Sequence, residues 1–207
     1  MIEPQRIIEL TLMSGGLIVF APVMGILAAC IVLEDGGSIF FRQARVGLGG
    51  VPFSILKLRS MRDGEVTSTG RWIRATGLDE VAQFLNVLRG EMSLVGPRPL
   101  TAEDLERLGW SGPTFSWRTT VRPGITGMAQ IFGRGARESA ALDRGYVEGR
   151  DLWLDVELVG VSFAMNVCGK SRVRRILGSR RSGLLRSVRL ARRSCGGAES
   201  AAGGLSG

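Results

Sequence analysis

The longest apolar segment of the chain lies near its amino terminus. Residues 11–33 (TLMSGGLIVFAPVMGILAACIVL) form an uncharged run of 23 residues. A straight helix of that length measures about 35 Å at 1.5 Å per residue, enough to cross the hydrocarbon core of a bilayer. Pro22 removes one backbone donor near the centre of the run and favours a kink. The pattern alone predicts a membrane helix, in its simplest form a bitopic helix that tolerates the proline.

Two shorter apolar runs follow this segment. Residues 38–46 (SIFFRQARV) and 51–58 (VPFSILKL) flank a glycine-rich run, 47–50 (GLGG), and the pattern predicts a β-hairpin. A glycine run can also cradle phosphate, but the strand–loop–helix context and the lysine of a P-loop are missing here. The better interpretation is therefore a structural turn. Lys57, at the end of the second run, is a candidate partner for a phosphate or a carboxylate.

A polar row lies on the helix predicted after residue 76. Thr76 and, three residues later, Asp79 are typical of a helix start, with a hydroxyl at the N-cap and a carboxylate in the first turn. Asp79, Gln83 and Asn86 recur at i, i+4 and i+7, so they share one face. Gly90 is predicted to end the helix. The neighbouring face is apolar and predicted to be buried: Leu78, Ala82, Leu85 and Leu88.

Charged groups of both signs mark this stretch as a candidate site. Asp79 and Glu80 form a carboxylate pair, and residues 96–99 (GPRP) fix the backbone around Arg98 with two prolines. Arginine binds phosphate through a planar fork, so a stiffly held arginine near two carboxylates favours an anionic substrate. The alternative is a surface helix with an ordinary acidic first turn, followed by a proline-rich turn.

Composition narrows the possible chemistry. The chain contains no histidine, which excludes histidine acid–base catalysis and histidine metal ligands. Its three cysteines are widely separated and odd in number, which argues against a disulfide framework or a zinc knuckle and fits a reducing compartment. Catalysis must then use carboxylates, lysine, arginine, hydroxyls or cysteine. The available oxygen ligands suit Mg²⁺ better than zinc.

Positive charge is concentrated at the carboxyl terminus. Residues 170–207 hold ten of the 27 basic residues and one of the 19 acidic ones, a net charge of +9, whereas residues 1–169 have 17 basic and 18 acidic residues, a net charge of −1. A basic segment with interspersed apolar residues favours adhesion to anionic lipid, at about 1 kcal/mol per basic residue near the surface. Nucleic-acid binding is the alternative role for this basic segment. No aromatic residue interleaves these arginines, so no base-stacking site is expected.

Residues 78–99 (LDEVAQFLNVLRGEMSLVGPRP) resemble the signature of the bacterial sugar transferases, the monotopic polyprenyl-phosphate phosphoglycosyl transferases. Three further segments resemble motifs of the same family: 40–62 (FFRQARVGLGGVPFSILKLRSMR), 121–135 (VRPGITGMAQIFGRG) and 142–159 (LDRGYVEGRDLWLDVELV). Three residues depart from the family pattern. Ala21 replaces the serine of a Ser-Pro pair, Leu58 replaces an aromatic residue and Asp151 replaces a serine.

The resemblance implies an α+β fold, mostly helical, with one β-hairpin and an amino-terminal re-entrant membrane helix broken near Ala21-Pro22. Both ends of that helix would lie in the cytoplasm. The domains expected are a membrane anchor (1–35), a catalytic domain (36–168) facing the cytoplasm from the inner membrane, and a basic, largely disordered tail (169–207). Arg42 and Arg45, close behind the apolar run, favour the same orientation.

The resemblance also implies an activity and a set of site residues. A sugar 1-phosphate would pass from a UDP-sugar to a polyprenyl phosphate with release of UMP, as the first membrane step of exopolysaccharide or other glycan synthesis. Asp79 would be the nucleophile and would contact Mg²⁺, with Glu80 assisting. The expected substrate-binding residues are Lys57, Arg74, Arg98, Arg134, Gln83 and Asn86, although a structural ion pair is an alternative role for each arginine.

Two other classes of function remain open at this point. The chain could be a membrane adaptor without catalytic activity, with its function in the basic tail. The intact residues Asp79, Glu80, Lys57 and Arg98 argue against that class. It could instead be a glycosyltransferase that moves the sugar alone. Such an enzyme releases UDP rather than UMP and needs no carboxylate attack on phosphorus.

Overall fold

The structure, a computed structural model, describes residues 4–169 and 172–173. Contacts divide the chain into two compact units, Met1–Ser93 and Leu94–Gly207. The described part is mostly helical with small two-stranded sheets, which confirms the coarse fold prediction. Apart from Gly169, Arg172 and Val173, the tail predicted for residues 169–207 lies outside the described residues.

The first unit begins with a helix of 32 residues, α1 (Pro4–Asp35). By length and composition this helix is sufficient to cross a membrane. It continues through Pro22, so the break implied at Ala21-Pro22 is not an interruption of the helix. One face of α1 is buried against the unit, whereas the opposite face exposes large apolar side chains. The buried residues are Glu9, Met13, Leu27 and Ile31, and the exposed ones include Leu12, Ile18, Val19, Ile26 and Leu33.

The predicted hairpin is confirmed. Strands β1 (Phe40–Val46) and β2 (Pro52–Leu58) are antiparallel, with Phe41 opposite Lys57. The prediction of a single hairpin was wrong, because β3 (Met61–Arg62) pairs with β4 (Glu65–Val66) and β5 (Ser93–Val95) pairs with β6 (Gly124–Thr126). The β3–β4 pair occupies a polar segment that alternation could not identify as strand. Positive φ at Asp63 and Gly64 closes its turn.

The helix predicted to start at Thr76 is divided differently. Helix α2 (Ser68–Thr76) ends there, and a 3-10 helix (Leu78–Gln83) and α3 (Phe84–Leu88) follow. Thr76 is therefore not an N-cap, and its hydroxyl donates to the carbonyls of Trp72 and Ile73. Gly77 separates the two helices with a φ of 70°, a left-handed conformation that glycine adopts without strain.

A small apolar core joins the elements of the first unit. Leu27 and Ile31 of α1 pack with Leu58 of β2 and Ile73 of α2. At the start of α2, Thr67 caps the helix by accepting a hydrogen bond from the backbone of Gly70. A side chain at Gly70 would clash with the backbone of Ser60, so glycine allows α2 to pack directly against the exit of the hairpin.

The second unit is built mainly of helices. They are α4 (Ala102–Arg107), a 3-10 helix (Pro113–Thr120), α5 (Met128–Phe132), α6 (Ala136–Gly149) and α7 (Leu152–Cys168). Asp151, which departs from the family pattern, is the N-cap of α7, and its side chain accepts from the backbone of Leu154 at 2.8 Å. Aspartate and serine are both strong N-caps, so this substitution preserves the start of the helix. The core residues include Met128, Ile131, Leu142, Tyr146 and Leu158.

Candidate active site

Lys57 and two carboxylates form a charged cluster in the first unit. The Nζ atom of Lys57 lies 3.2 Å from Oδ2 of Asp79 and 3.8 Å from Oε1 of Glu80. The exposed fractions of the three side chains are 24% for Lys57, 18% for Asp79 and 44% for Glu80. The sequence left Lys57 as a candidate partner for a phosphate or a carboxylate, and its partners in the structure are these two carboxylates. Asp79 lies beside a cation and stays partly exposed.

The two carboxylates owe their place to the helix division at Gly77. Gly77 ends α2, and a new 3-10 helix begins at Leu78. Asp79 and Glu80 therefore lie in the first turn of this 3-10 helix. This 3-10 helix packs against β2, the strand that carries Lys57. Gln83, the last residue of the 3-10 helix, is almost fully buried. The predicted role of Gln83 in substrate binding stays a prediction.

Asn86 uses its side chain within the protein. It is fully buried, its Oδ1 accepts from the backbone of Leu56 at 3.0 Å, and its Nδ2 donates to the carbonyl of Ser54 at 2.8 Å. Nδ2 also donates to Oε2 of Glu91 at 2.7 Å. The expectation that Asp79, Gln83 and Asn86 present one accessible polar row is wrong, because burial increases along the row. Asn86 instead fastens α3 to the free edge of β2.

Two arginines at the hairpin exit have different environments. Arg74, in the last turn of α2, is exposed, with Nε 3.1 Å from Oγ of Ser60 and Nη2 3.2 Å from Sδ of Met61. Arg59 forms an ion pair with Asp35, the last residue of α1. The polar partners of Arg74 are neutral, so its positive charge stays available to an anionic ligand. The charge of Arg59 is instead paired with Asp35 at the end of α1.

Residues near both ends of α1 form hydrogen bonds with other parts of the first unit. At the amino-terminal end Arg6 donates to the carbonyls of Val87 and Met92, while Glu9 accepts from the hydroxyl of Ser93. At the other end Glu34 is the acceptor at the start of α2. These contacts could not be predicted from the sequence, because they join residues that are far apart in the chain, 81 positions in the case of Arg6 and Val87.

Glu34 bonds to the first backbone N–H groups of α2. Its Oε1 accepts from Ser68 at 2.6 Å and its Oε2 from Thr69 at 2.9 Å. Glu34, near the carboxyl-terminal end of α1, therefore satisfies two of the backbone donors that the first turn of α2 leaves without helical partners.

Arg98 is an exposed arginine on a braced backbone in the second unit. Pro97 and Pro99 on either side of it are buried. The Gly96 N–H donates to the carbonyl of Thr126 and the Gly124 N–H donates to the carbonyl of Pro97, both at 2.9 Å. Arg98 has no side-chain hydrogen bond or ion pair to any residue that the structure describes. Its guanidinium is therefore available to a ligand.

The glycines of the family motif at residues 121–135 explain how the backbone around Arg98 is held. A Cβ atom at Gly124 would clash with the backbone of Gly96, and one at Gly127 would clash with the Gly96 carbonyl. Glycine at both positions therefore lets the backbone of this motif approach the backbone of Gly96 closely. Arg134, from the same motif, is also exposed, and its backbone N–H donates to Oε2 of Glu138 at 2.9 Å.

A buried ion pair in the second unit was not predicted from the sequence. Nη1 of Arg118 lies 2.7 Å from Oδ2 of Asp143, and the exposed fractions of their side chains are 7% and 3%. Burial raises the pKa of Asp143, against the opposing effect of Arg118. Asp143 lies in the family motif at residues 142–159. Nothing in the sequence pattern indicates that it pairs with Arg118, which is 25 residues away.

A divalent cation would find its protein ligands at Asp79 and Glu80. No group of three or more cysteine, aspartate or glutamate side chains suitable for a metal is found within the part of the chain that the structure describes. Mg²⁺ typically uses one or two protein carboxylates and takes its other ligands from water and substrate phosphate. The adjacent carboxylates of Asp79 and Glu80 meet that requirement, so these residues fit the predicted ion.

Comparison with known proteins identifies the family. The family model described as "Bacterial sugar transferase" matches residues 3–168, and the chain belongs to that family. The chain is 39% identical over 177 residues to the UDP-glucose:undecaprenyl-phosphate glucose-1-phosphate transferase of Caulobacter vibrioides, covering 75% of this chain and 66% of the relative. It is 40% identical over 146 residues to the uncharacterized sugar transferase EpsL of Bacillus subtilis, covering 63% and 71% respectively.

A third relative differs in the sugar that its name specifies. It is the UDP-N-acetylgalactosamine-undecaprenyl-phosphate N-acetylgalactosaminephosphotransferase of Aeromonas hydrophila, 38% identical over 160 residues. The alignment covers 68% of this chain and 38% of that relative. The chain thus spans just under two thirds of the Caulobacter protein and well under half of the Aeromonas protein.

Proposed function

We propose that this chain is a phosphoglycosyl transferase that moves a sugar 1-phosphate from a UDP-sugar to a polyprenyl phosphate, with release of UMP. The observation that carries the proposal is the Lys57–Asp79–Glu80 cluster, in which a carboxylate is accessible and lies 3.2 Å from a lysine. Family membership supports it, as do relatives whose names specify this type of transfer with glucose or N-acetylgalactosamine. The role in exopolysaccharide or glycan synthesis is part of the same proposal.

The proposed reaction has two steps on one phosphorus atom. The Asp79 carboxylate attacks the β-phosphorus of the UDP-sugar, the bond from that phosphorus to the bridging oxygen breaks, and UMP leaves. The sugar phosphate stays on Asp79 as an acyl phosphate. An oxygen of the polyprenyl phosphate then attacks the same phosphorus, which frees Asp79 and forms the polyprenyl diphosphate sugar. Lys57 orients Asp79 between the two attacks.

The remaining site residues supply charge and orientation. Mg²⁺, held by Asp79 with Glu80 beside it, would neutralise phosphate oxygens of the substrates. Arg74, Arg98 and Arg134 are exposed cations, and we propose that they bind substrate phosphates. Asn86, given its contacts, acts by positioning the 3-10 helix and α3 rather than by touching substrate. Gln83 stays a candidate for substrate contact.

We also propose that α1 bends at Pro22 within the inner membrane and returns to the cytoplasmic side, where the catalytic part of the chain lies; a proline can bend a helix without ending it. The support is that Arg6 bonds the Met92 carbonyl while Asp35 pairs with Arg59, and both partners belong to one compact unit. A bitopic helix would carry Arg6 and Asp35 to opposite faces of the bilayer. The exposed apolar face of α1 is then the surface in contact with lipid.

The test of the proposed function is to trap the acyl phosphate. Wild-type protein in nanodiscs is incubated with a UDP-sugar labelled at the β-phosphate, with Mg²⁺ and without acceptor. We expect the label to remain on the protein, to be released by hydroxylamine as an acyl phosphate, and to be absent from Asp79→Asn. The Asp79→Asn variant should still bind the membrane, because α1 is unchanged.

Two results would contradict the proposal. Labelling of Asp79→Asn at the wild-type level would show that another group is the nucleophile. Release of UDP in place of UMP, without labelling, would indicate a glycosyltransferase that moves the sugar alone. Glu80→Gln is the matched control, and it should reduce the rate of labelling while leaving the site of labelling unchanged.

A further inference from the structure

Three successive backbone groups hold the loop that carries Arg98. The Gly96 N–H and the Pro97 carbonyl bond to Thr126 and Gly124 respectively, both at 2.9 Å. The third is the carbonyl of Arg98 itself, which accepts from Nη2 of Arg118 at 3.1 Å. Unlike the first two bonds, the third depends on a side chain, so a substitution can remove it while leaving the backbone of the loop intact.

The guanidinium of Arg118 is itself held by several contacts. Nη1 bonds Asp143 at 2.7 Å. The ζ carbon lies 4.9 Å from the ring centroid of Trp110 and 5.7 Å from that of Trp117, within the range of a cation–π contact. Nη2 is directed to the Arg98 carbonyl, and the Arg118 side chain is only 7% exposed. A guanidinium with this many contacts has little freedom to move, so it is a rigid donor.

Arg118 and Arg98 are a buried and an exposed arginine joined through one carbonyl. The Arg118 charge is paired with Asp143, and the side chain is buried, so this residue is not available to a ligand. The Arg98 guanidinium projects from a backbone that Arg118 fixes, between two buried prolines. Displacement of a substrate-binding group by about 1 Å can cost a hundredfold in rate.

We propose that Arg118 is a positioning residue that sets the Arg98 guanidinium for a phosphate of the substrates. Asp143 and the two tryptophans fix the Arg118 side chain, and Arg118 acts through the Arg98 carbonyl. The inference rests on the proposed function insofar as Arg98 binds substrate phosphate. It assigns Arg118 no contact with substrate.

A double-mutant cycle tests this coupling. UMP release by the full chain in nanodiscs is measured for wild type, Arg98→Ala, Arg118→Met and the double variant, with kcat and KM for the UDP-sugar and the polyprenyl phosphate determined separately. We expect Arg118→Met to lower kcat/KM by about ten- to a hundredfold. In the Arg98→Ala background the same substitution should change kcat/KM by less than about threefold, because the group that it positions is already absent.

The cycle needs a control for folding, because Arg118→Met leaves Asp143 buried and unpaired. Arg118→Met combined with Asp143→Leu removes both charges, and replacing a buried ion pair with apolar residues is often neutral for stability. This paired variant should melt near the wild-type temperature yet keep the loss of kcat/KM. Arg118→Lys should recover stability through the ion pair but only part of the activity, since one ammonium replaces a forked donor.

The possible outcomes distinguish failure of the proposed phosphate binding by Arg98 from failure of the proposed positioning role of Arg118. If Arg98→Ala retains wild-type kinetics, Arg98 binds no substrate phosphate and that part of the proposed function fails. If Arg98→Ala is impaired but Arg118→Met causes the same further loss in its presence, Arg118 does not act through Arg98 and this inference is overturned. Recovery of full activity in the Arg118→Met/Asp143→Leu variant would also overturn it.

Discussion

Among single residues, Lys57 has the most direct link to the proposed chemistry. This lysine contacts both carboxylates, at 3.2 Å to Asp79 and 3.8 Å to Glu80, and all three side chains are partly exposed. Exposed ion pairs contribute only about 0–1 kcal/mol to stability. The cluster therefore contributes little to folding. In the proposed reaction, Lys57 holds the carboxylate nucleophile in place and provides a positive charge beside the phosphorus under attack.

We predict that Lys57→Met lowers the rate of UMP release by about a hundredfold or more, the usual cost of removing one preorganised electrostatic contact. The free energy of unfolding should change by less than about 1 kcal/mol, as expected for a partly exposed ion pair. UMP release and chemical denaturation are the two measurements. Lys57→Arg is the matched control and should retain more activity than Lys57→Met, because it keeps the charge. Equal activity in Lys57→Met and wild type would contradict the assignment.

Among the elements, strand β2 links the site to the fold through its free edge. The Ser54 carbonyl and the Leu56 N–H face away from β1 and bond to the side-chain amide of Asn86. One amide supplies both a donor and an acceptor, as a neighbouring strand would. The contact fastens α3 to β2, and the carboxylates of the 3-10 helix that precedes α3 consequently lie beside Lys57.

We predict that Asn86→Leu destabilises the protein, because it leaves the Leu56 N–H and the Ser54 carbonyl without their partner. Each unsatisfied buried group costs about 1–3 kcal/mol. Asn86→Asp should be at least as harmful, since its carboxylate would face the Ser54 carbonyl and the Glu91 carboxylate in place of a donor. Thermal or denaturant unfolding measures both changes.

A second substitution tests the reason given for Asn86→Asp. Adding Glu91→Gln to that variant replaces the facing carboxylate with a neutral amide, which removes the charge repulsion and can donate a hydrogen bond to the new aspartate. Partial recovery of stability in the double variant is expected. Wild-type stability in Asn86→Leu would instead show that the amide contacts contribute little to the attachment of α3.

The same elements show how far the sequence alone could lead. Alternation around a glycine run identified the β1–β2 hairpin. Family motifs made Asp79, Glu80 and Lys57 candidate site residues, and the structure places them together. The polar row through Asn86 was misread because i, i+4, i+7 spacing assumes a regular α-helix. The 3-10 helix Leu78–Gln83 breaks that regularity, and side-chain periodicity does not distinguish a 3-10 helix from an α-helix over six residues.

Contacts between distant residues were the part that the sequence could not provide. Arg118 with Asp143, and Arg6 with Met92, join segments that are far apart in the chain. A charged residue in a sequence has the same appearance whether it is solvated or buried against a partner. The exposure of Arg98 and the burial of Arg118 were therefore visible only in the structure.

For the molecule as a whole, the proposed membrane insertion of the amino-terminal helix would determine where the proposed chemistry takes place. Helix α1 exposes apolar side chains on one face and bonds to the first unit at both ends. A water-soluble UDP-sugar and a lipid-linked acceptor must meet at a membrane surface. A helix that is inserted into the bilayer but attached to a single unit would keep that unit at the surface.

We predict that both ends of α1 are accessible from the cytoplasmic side. Single cysteines at Gln5 and at Ser38, in a background without other cysteines, are treated with a membrane-impermeant maleimide in spheroplasts and in inside-out vesicles. Both should react in inside-out vesicles and neither in intact spheroplasts. Reaction of the Gln5→Cys protein from the outside, with Ser38→Cys reacting from the inside, would instead establish a bitopic helix.

The central claim is phosphosugar transfer, and the identity of the released nucleotide tests it most directly. The purified chain in lipid nanodiscs is given a panel of UDP-sugars with Mg²⁺, with and without a polyprenyl phosphate. We predict sustained release of UMP from at least one donor, dependent on the acceptor and abolished in Asp79→Asn. Sustained release of UDP would contradict the claim, and UMP release that persists in Asp79→Asn would contradict the assignment of Asp79 as its nucleophile.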